Sequence, residues 1–196
     1  MSSGKITLEQ RKASLHYHVQ EYRKRRVIID TDAACEADDP FAIAQALMSK
    51  MLEVKGICAE HFVAEGSMEQ SYEMICRVTE AMGADVPVLR GQTGKMSEHQ
   101  GKPMTEAAQF IIEEAMKEDD KPLFVLCIGA VTNVAEAIRA GGEDLQIYTS
   151  GATNIFKYPE LTEGEKASQL IGTLEHKEVL QEFVSEVNAG VEGDTG

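Results

Sequence analysis

The chain has 196 residues, 43% of them hydrophobic, and a formal net charge of −14. A chain of this length can bury one sizeable core, so one main folded unit is expected. The acidic excess is spread along the chain, which argues against a nucleic acid partner. No apolar run approaches the roughly 20 residues that span a bilayer. We therefore expect no contact with a membrane. The cysteines form no C-x-x-C pair, so we expect reduced thiols and a cytoplasmic protein.

Residues 1–26 are predicted to form a basic amphipathic helix. Thr7 and Gln10 match a capping box, and apolar residues then recur at helical spacing as far as Tyr22. The segment ends in the basic run RKRR at residues 23–26. We treat this segment as a unit that precedes the main fold.

From residue 27 to residue 149, short apolar runs alternate with longer amphipathic stretches. This alternation is typical of βαβ units around a parallel sheet. The sequence therefore predicts a three-layer α/β fold, in which a mainly parallel sheet carries helices on both faces. The predicted strands are residues 27–30, 54–59, 86–89, 123–128 and 145–148.

Capping signals predict where the helices begin and end. The helix that starts near residue 67 should end at Gly83, because glycine is the commonest residue just beyond a helix. The expected N-caps are Asp39, Ser67, Thr105 and Thr132. Residues 150–196 lose the regular alternation and are predicted to form a divergent helical segment, with its clearest helix at 174–188.

Four aspartates follow the first predicted strand, at positions Asp30, Asp32, Asp38 and Asp39. In open parallel sheets, ligands bind beyond the carboxyl ends of the strands, where this loop lies. Asp30 and Asp32 are two apart on a strand and should start on the same face. Turn formation or capping explains Asp39 alone, but not four carboxylates that repel one another. The cluster therefore predicts a site for a hard divalent cation, with calcium as the best fit to oxygen ligands.

Two ordered motifs resemble those of the nucleoside hydrolases. Residues 27–43 read VIIDTDAACEADDPFAI, which resembles the family's strand, D-x-D, short loop, D-D and Ala-rich helix. Residues 124–135 read FVLCIGAVTNVA, which resembles the family's strand ending in G-x-L-T-N-x-A. The resemblance implies a nucleoside hydrolase-like fold and a calcium-dependent hydrolysis of the N-glycosidic bond of ribonucleosides, which yields a base and ribose.

The resemblance also implies roles for the residues that match the motifs. Asp32 would ligate calcium and act as the general base, and Asp39 would be a second metal ligand. Ile128 would contribute its backbone carbonyl to the metal. Asp38 would hold a ribose hydroxyl, and Asp30 would support the loop.

The chain also departs from the family pattern. His61 lies where the family often has an asparagine that contacts the ribose, so it is either a substitute contact or a structural histidine. The loop between D-x-D and D-D holds five residues instead of the usual three. The family's late E-F-N and His-Asp segments are missing, and the resemblance ends near Ala140. We therefore expect a truncated, internally deleted or degenerate member with weaker metal binding and very low or no turnover. Exposed sheet edges in such a member would favour a homo-oligomer.

Two other functions stay open. Haloacid-dehalogenase-type phosphatases also place D-x-D after the first strand, with Asp30 as nucleophile, Asp32 as acid and magnesium as the ion. Against this, Ala33 and Ala34 follow where that family expects Gly-Thr. The other alternative is a non-catalytic, hydrolase-like protein that binds calcium or ribosides, or serves as a partner chain. The missing C-terminal segments support it.

Overall fold

The computed structural model of the chain describes residues 6–62, 64–141 and 148–150, the last three by their backbone alone. Its strands are β1 (Arg25–Thr31), β2 (Leu52–Ala59), β3 (Val88–Arg90), β4 (Leu123–Cys127) and β5 (Tyr148–Ser150). Its α-helices are α1 (Leu8–Ala13), α2 (Asp38–Met48), α3 (Ser67–Met82), α4 (Glu106–Ala115) and α5 (Thr132–Gly141). Short 3₁₀ helices occur at Glu21–Arg23 and Met96–His99.

The strands form one sheet in the order β3-β2-β1-β4-β5. Every neighbouring pair is parallel. β1 lies at the centre of this order, and its Asp30 is opposite Cys58 of β2 and Cys127 of β4. Parallel neighbours need crossover connections, which α2, α3, α4 and α5 supply. The predicted α/β fold with a parallel sheet is confirmed.

Helices cover both faces of the sheet. Successive side chains of a strand point to opposite faces, and those of β1 are buried on both. Ile28 belongs to an apolar cluster that includes Ile111 of α4 and Val134 of α5. Its neighbour Ile29 belongs to a second cluster, which includes Ile43 of α2 and Ile75 of α3. The two clusters separate three layers, as the sequence predicts.

Four predicted strands coincide with β1 to β4, although β3 begins at Val88 and not at residue 86. The fifth prediction meets β5 only at Tyr148. Its residues 145–147 lie outside the described residues, and so do residues 151–196 with their predicted helical pieces. The division of the chain at residues 26 and 149 stays a prediction.

The N-terminal helix is shorter than predicted. The capping box is present, because the Gln10 backbone N–H donates to Thr7 Oγ1 at 3.2 Å and the Thr7 N–H donates to Gln10 Oε1 at 2.9 Å. The helix nevertheless ends at Ala13 and does not continue to residue 22. Lys50 Nζ donates to the backbone carbonyls of Leu15, at 2.7 Å, and Tyr17, at 2.9 Å. A side chain that lies just beyond α2 therefore binds carbonyls that a longer α1 would use for its own hydrogen bonds.

The other capping predictions have mixed outcomes. Thr105 is the N-cap of α4, as predicted, and α3 ends at Gly83, whose φ of 66° suits a glycine C-cap. Ser67 is not an N-cap, because Gly66 occupies that position with φ 73°. The Ser67 hydroxyl accepts a hydrogen bond from the backbone N–H of Phe62 at 3.1 Å. The hydroxyl thus stabilises the loop before α3 and not the first turn of the helix.

A buried arginine marks the amino end of β1. Arg26 is 3% exposed, and its Nη2 donates to the backbone carbonyl of Glu114 at 2.6 Å. The same nitrogen lies 3.3 Å from the Glu114 carboxylate, and Arg26 Nε lies 3.4 Å from Asp119. These ion pairs hold β1 against the end of α4 and the turn before β4.

Candidate functional site

The structure brings three of the four predicted aspartates together at the carboxyl end of β1. Asp30 is the last but one residue of this strand and has no exposed surface. Asp32 is half-buried in the loop that follows, and Asp39 is 7% exposed in the first turn of α2. Asp38 lies in the same turn, but its side chain is exposed.

Asp30 is held inside the sheet edge by a side chain from α5. Asn133 Nδ2 donates to Asp30 Oδ1 at 2.9 Å and to the backbone carbonyl of Ala59 at 3.1 Å. Burial and the neighbouring Glu60 carboxylate raise the pKa of Asp30 well above its usual value. Asp30 Oδ2 accepts no hydrogen bond from the described residues. A proton on Asp30 would let this carboxyl group donate to Glu60 and would remove the repulsion between the two acids.

Glu60, directly after β2, is the principal residue of the site that the sequence analysis missed. It has no exposed surface, and its carboxylate accepts from the Val131 N–H at 2.9 Å and the Asn133 N–H at 3.3 Å. Thr132 Oγ1 also donates to it, at 3.3 Å. The expectation that Thr132 is the N-cap of α5 is wrong, because Thr132 is the first residue of this helix. Glu60, which follows β2, accepts the hydrogen bonds at the start of α5.

The turn that carries these donors has two unusual positions. Val131 has φ 65°, a left-handed conformation that is costly for a β-branched residue, and its N–H bond to Glu60 stabilises this conformation. Gly129 leaves no space for a side chain, since a Cβ there would lie 2.5 Å from Glu60 Oε2 and 3.2 Å from Asp32 Oδ1. The turn therefore runs directly against the acidic residues, and the preceding Ile128 donates its N–H to the Asp30 carbonyl at 2.8 Å.

Asp32 and Asp39 form a second pair of carboxyl groups. Their side chains are hydrogen-bonded to each other, and Thr31 Oγ1 donates to Asp39 Oδ2 at 2.9 Å. Burial, together with the negative charges of Asp32 and Asp38, raises the pKa of Asp39 to about 6. Burial and the charge of Glu60 also raise the pKa of Asp32. Below a pH of about 6, the two acids can share one proton, which removes their mutual repulsion.

The expectation that Asp39 caps α2 is wrong. The N-cap position belongs to Ala37, and Asp39 is inside the first helical turn. Its carboxyl group bonds to Thr31 and Asp32 instead of to the N–H groups of its own helix. Asp39 is thus available to the loop on the strand side, where a ligand of a parallel sheet binds.

His61 and Cys35 lie on different sides of this cluster. His61 is 4% exposed, and burial lowers its pKa, with further influence from the charges of Glu98 and Lys95. Cys35 is exposed in the five-residue loop, and its thiol is hydrogen-bonded to the side chain of Asp32. His61 therefore neighbours the loop between β3 and α4, whereas Cys35 borders the Asp32 carboxyl group.

The oxygen atoms at this edge of the sheet match part of the coordination shell of a hard cation. Among the described residues, no three His, Cys, Asp or Glu side chains are arranged to hold a metal ion. Asp32 and Asp39 nevertheless offer carboxylate oxygens in mutual contact, and the backbone that follows β4 passes beside Asp32. Carboxylate and carbonyl oxygens are calcium ligands, and a cation in place of the shared proton would remove the repulsion between the two acids.

The helices have no membrane-spanning character within the described ranges. None of them is both long enough and apolar enough to cross a bilayer.

Comparison with known proteins gives three similarities. The family model "Inosine-uridine preferring nucleoside hydrolase" matches residues 27–146. The chain is 42% identical over 92 residues to the heat-inducible transcription repressor HrcA of Lachnoclostridium phytofermentans, a match over 46% of this chain and 26% of that protein. A solved nucleoside hydrolase-related hypothetical protein from Saccharophagus degradans, described as associated with carbohydrate metabolism, is 19% identical with a TM-score of 0.42.

The solved structure is matched over 59% of this chain and 33% of its own length. The chain thus spans about a quarter of the repressor and a third of the solved protein. The family model, in contrast, covers more than half of the chain, from the first residues of β1 to beyond α5, and includes both acid pairs. The chain belongs to the inosine-uridine preferring nucleoside hydrolase family.

Proposed function

We propose that the chain hydrolyses the N-glycosidic bond of ribonucleosides to a base and ribose. The observation that carries this proposal is the pair of hydrogen-bonded carboxyl groups, Asp32 and Asp39, at the carboxyl edge of the central strand. Membership of a hydrolase family gives the pair a chemical context. Ribonucleosides as substrates, the cytoplasmic location and a homo-oligomeric state are parts of this proposal.

The residues of the chain supply the acid–base steps. Asp32 accepts a proton from the water molecule that attacks C1′ of the ribose. The C1′–N bond breaks, its electron pair goes to the base, and the departing base takes up a proton from solvent water. Asp38, which is exposed at the mouth of the loop, holds a ribose hydroxyl, and His61 contributes a further substrate contact. Asp30 and Glu60 are buried and keep the loop in place.

Calcium completes the proposed site. Asp32, Asp39 and the backbone carbonyl of Ile128 would hold the ion, which polarises the attacking water when bound. Thr31 positions Asp39 through its hydroxyl, and Gly129 allows the turn after β4 to approach Asp32. Metal binding should therefore depend on both aspartates together, since neither supplies enough ligands alone.

The proposal is tested by calcium titration and by assays of base release from inosine and uridine. We expect the wild type to bind calcium and release base, and Asp32→Asn to lose both, because an amide is a weaker ligand and cannot act as the base. Glu36→Gln is the matched control, since Glu36 is an exposed acid in the same loop. A wild type that neither binds calcium nor releases base would refute the proposal and leave the non-catalytic alternative.

A phosphatase assay with p-nitrophenyl phosphate and magnesium tests the remaining enzymatic alternative. In that reaction Asp30 would be the nucleophile, yet it has no exposed surface and its Oδ1 is bonded to Asn133. A phosphoester cannot reach a carboxyl group so placed. We expect no phosphatase activity, and turnover that is lost in Asp30→Asn would reverse this assignment.

The similarity to HrcA favours a second candidate, a part of a transcription repressor. The formal net charge of −14 argues against DNA contact by the chain itself. An electrophoretic mobility assay with duplex DNA at low salt distinguishes the two functions. We expect no shift; a shift that persists at physiological salt would favour the repressor-related role.

A further inference from the structure

A small cavity lies behind the loop between β3 and α4, away from the aspartate pair. Its volume is about 290 Å³, at the lower end of the range for small-molecule sites. The loop supplies one wall, and α5 supplies the other through Glu136, Arg139 and Ala140. We refer to it as the β3–α4 cavity.

One lining side chain is a buried amide without an adequate partner. Gln92 has no exposed surface, and among the described residues the one hydrogen-bond partner of its Nε2 is the thioether sulfur of Met96, at 3.1 Å. Gln92 Oε1 finds no hydrogen-bond partner among the described residues. Exchanging the amide oxygen and nitrogen does not supply the missing hydrogen bond. One of the two atoms still contacts the Met96 sulfur, and the other still has no hydrogen-bond partner among the described residues. A buried amide of this kind is stabilised when a ligand supplies the missing hydrogen bond.

The charges around the cavity do not balance. The Glu136 carboxylate is already engaged, since it accepts from Thr105 Oγ1 at 2.6 Å and lies 3.0 Å from His99 Nε2. Arg139 and Lys102 add two exposed positive charges, and within the described residues no carboxylate forms an ion pair with either. Glu136, Arg139 and Lys102 together carry one excess positive charge, which a single anionic group would neutralise.

We infer that the β3–α4 cavity binds a small hydroxylated monocarboxylate. Its carboxylate pairs with the Arg139 guanidinium, which presents two parallel N–H donors to such a group, and Lys102 adds a further positive charge. The Gln92 side chain, which no strong hydrogen bond holds in its buried position, turns toward the cavity and bonds to a hydroxyl on the ligand. This site is not used by the proposed hydrolysis and does not depend on it.

The position of Gln92 couples the cavity to the aspartates. The Gln92 backbone N–H donates to Asn133 Oδ1 at 3.0 Å, and Asn133 Nδ2 in turn bonds to Asp30. A ligand that moves Gln92 therefore acts on the side chain that fixes the end of β1. Occupancy should be visible as a change in the environment of Asn133.

The test uses the full chain and two probes of equal carbon number, gluconate and hexanoate. Binding is followed by isothermal titration calorimetry and by the ¹H–¹⁵N resonances of the Gln92 and Asn133 side-chain amides. We expect saturable binding of gluconate with shifts of both resonances, and weaker binding of hexanoate, which lacks hydroxyls. Arg139→Gln should raise the Kd for gluconate about tenfold or more.

Two further variants separate the parts of the inference. Gln92→Met keeps the size and the backbone N–H, and should reduce gluconate affinity to that of hexanoate. Arg77→Gln, at an exposed arginine on α3, should bind gluconate like the wild type. Failure of gluconate to bind, or unchanged binding in Arg139→Gln, would overturn the inference, as would preferential binding of inorganic phosphate. If Gln92→Met does not fold, the soluble Arg139→Gln variant decides alone.

Discussion

Asn133 Nδ2 donates a hydrogen bond to Asp30 Oδ1 at 2.9 Å, across 103 positions of the chain. The same amide nitrogen donates to the Ala59 carbonyl. The other end of the amide, Asn133 Oδ1, accepts from the Gln92 backbone N–H at 3.0 Å. One side chain thus links the ends of β1, β2 and β3 to the start of α5. It satisfies polar groups that have no access to water.

Replacement of this side chain should be strongly destabilising. In Asn133→Ala, buried groups on Asp30, Ala59 and Gln92 lose their partner, so we expect a loss of about 3 kcal/mol in the free energy of unfolding. Urea denaturation measures it. Gln45→Ala, on the exposed side of α2, should change this free energy by less than about 0.5 kcal/mol. An equal effect of both variants would contradict the role of Asn133.

Gly129→Ala should disturb the site more than the fold. The added Cβ would lie 2.9 Å from the Asp32 backbone N and 2.5 Å from Glu60 Oε2, so the turn or the aspartate loop must shift. We expect at least about a tenfold loss of base release, because small displacements of reacting groups are costly. Gly66→Ala is the control: it has φ 73° and open space, so it should cost about 1 kcal/mol of stability and no activity. Unchanged activity in Gly129→Ala would contradict the geometry.

Stability without metal should fall as the pH rises from about 4 to 6. Burial raises the pKa of Asp39 from 3.8 to about 6, so the folded chain binds this proton more tightly than the unfolded chain does. The stabilisation is complete below the unfolded pKa and is lost as the pH passes the folded one, with a limit of about 3 kcal/mol. Denaturation in EDTA at several pH values measures the slope.

Variants of the two adjacent aspartates identify the group that titrates. Asp39→Asn should flatten the pH dependence, because the titrating carboxyl group is gone while Thr31 can still donate to the amide oxygen. Asp38→Asn, at the exposed neighbour, should leave most of the slope. A slope that persists in Asp39→Asn would assign it to another group. Calcium should reverse the trend, because it binds the deprotonated pair.

Alkylation of Cys35 should inhibit base release. This thiol is exposed and hydrogen-bonded to Asp32, whereas Cys58 and Cys127 are buried. Partial burial and the charge of Asp32 raise the pKa of Cys35, so iodoacetamide should react slowly at pH 7 and faster toward pH 9. Peptide mass spectrometry identifies the modified residue. Cys35→Ser should keep its activity after the same treatment, and full activity of Cys35-labelled protein would show that the loop tolerates the bulk.

Local patterns were sufficient to predict much of the fold. Apolar runs placed β1, β2 and β4, because buried parallel strands are apolar along their whole length. Thr105 and Gly83 were predictable because their signals act within one helical turn. The spacing of Asp30 and Asp32 placed both at the edge where ligands bind, although Asp30 proved to be buried.

The missed features depend on contacts between distant parts of the chain. Glu60 has no motif, and its partners at Val131 and Asn133 lie more than 70 positions away. The signal that could have found it is an acid directly after a buried strand, at the same sheet edge as Asp30. The early end of α1 is accompanied by hydrogen bonds from Lys50 to the carbonyls of Leu15 and Tyr17, 35 and 33 positions earlier. Helical periodicity does not predict such long-range contacts.

The central strand carries a buried ionisable side chain near each of its two ends. Arg26 is paired with Glu114 at the amino end, and Asp30 is bonded to Asn133 at the carboxyl end, only four positions later. A displacement of β1 by two residues would keep its apolar side chains on their faces, but would separate both buried polar groups from their partners. Apolar burial alone does not fix the alignment of β1, because both of its faces are buried and Val27, Ile28 and Ile29 are all apolar; the two polar side chains fix it. The strand that presents the aspartates therefore has a single permitted alignment during folding.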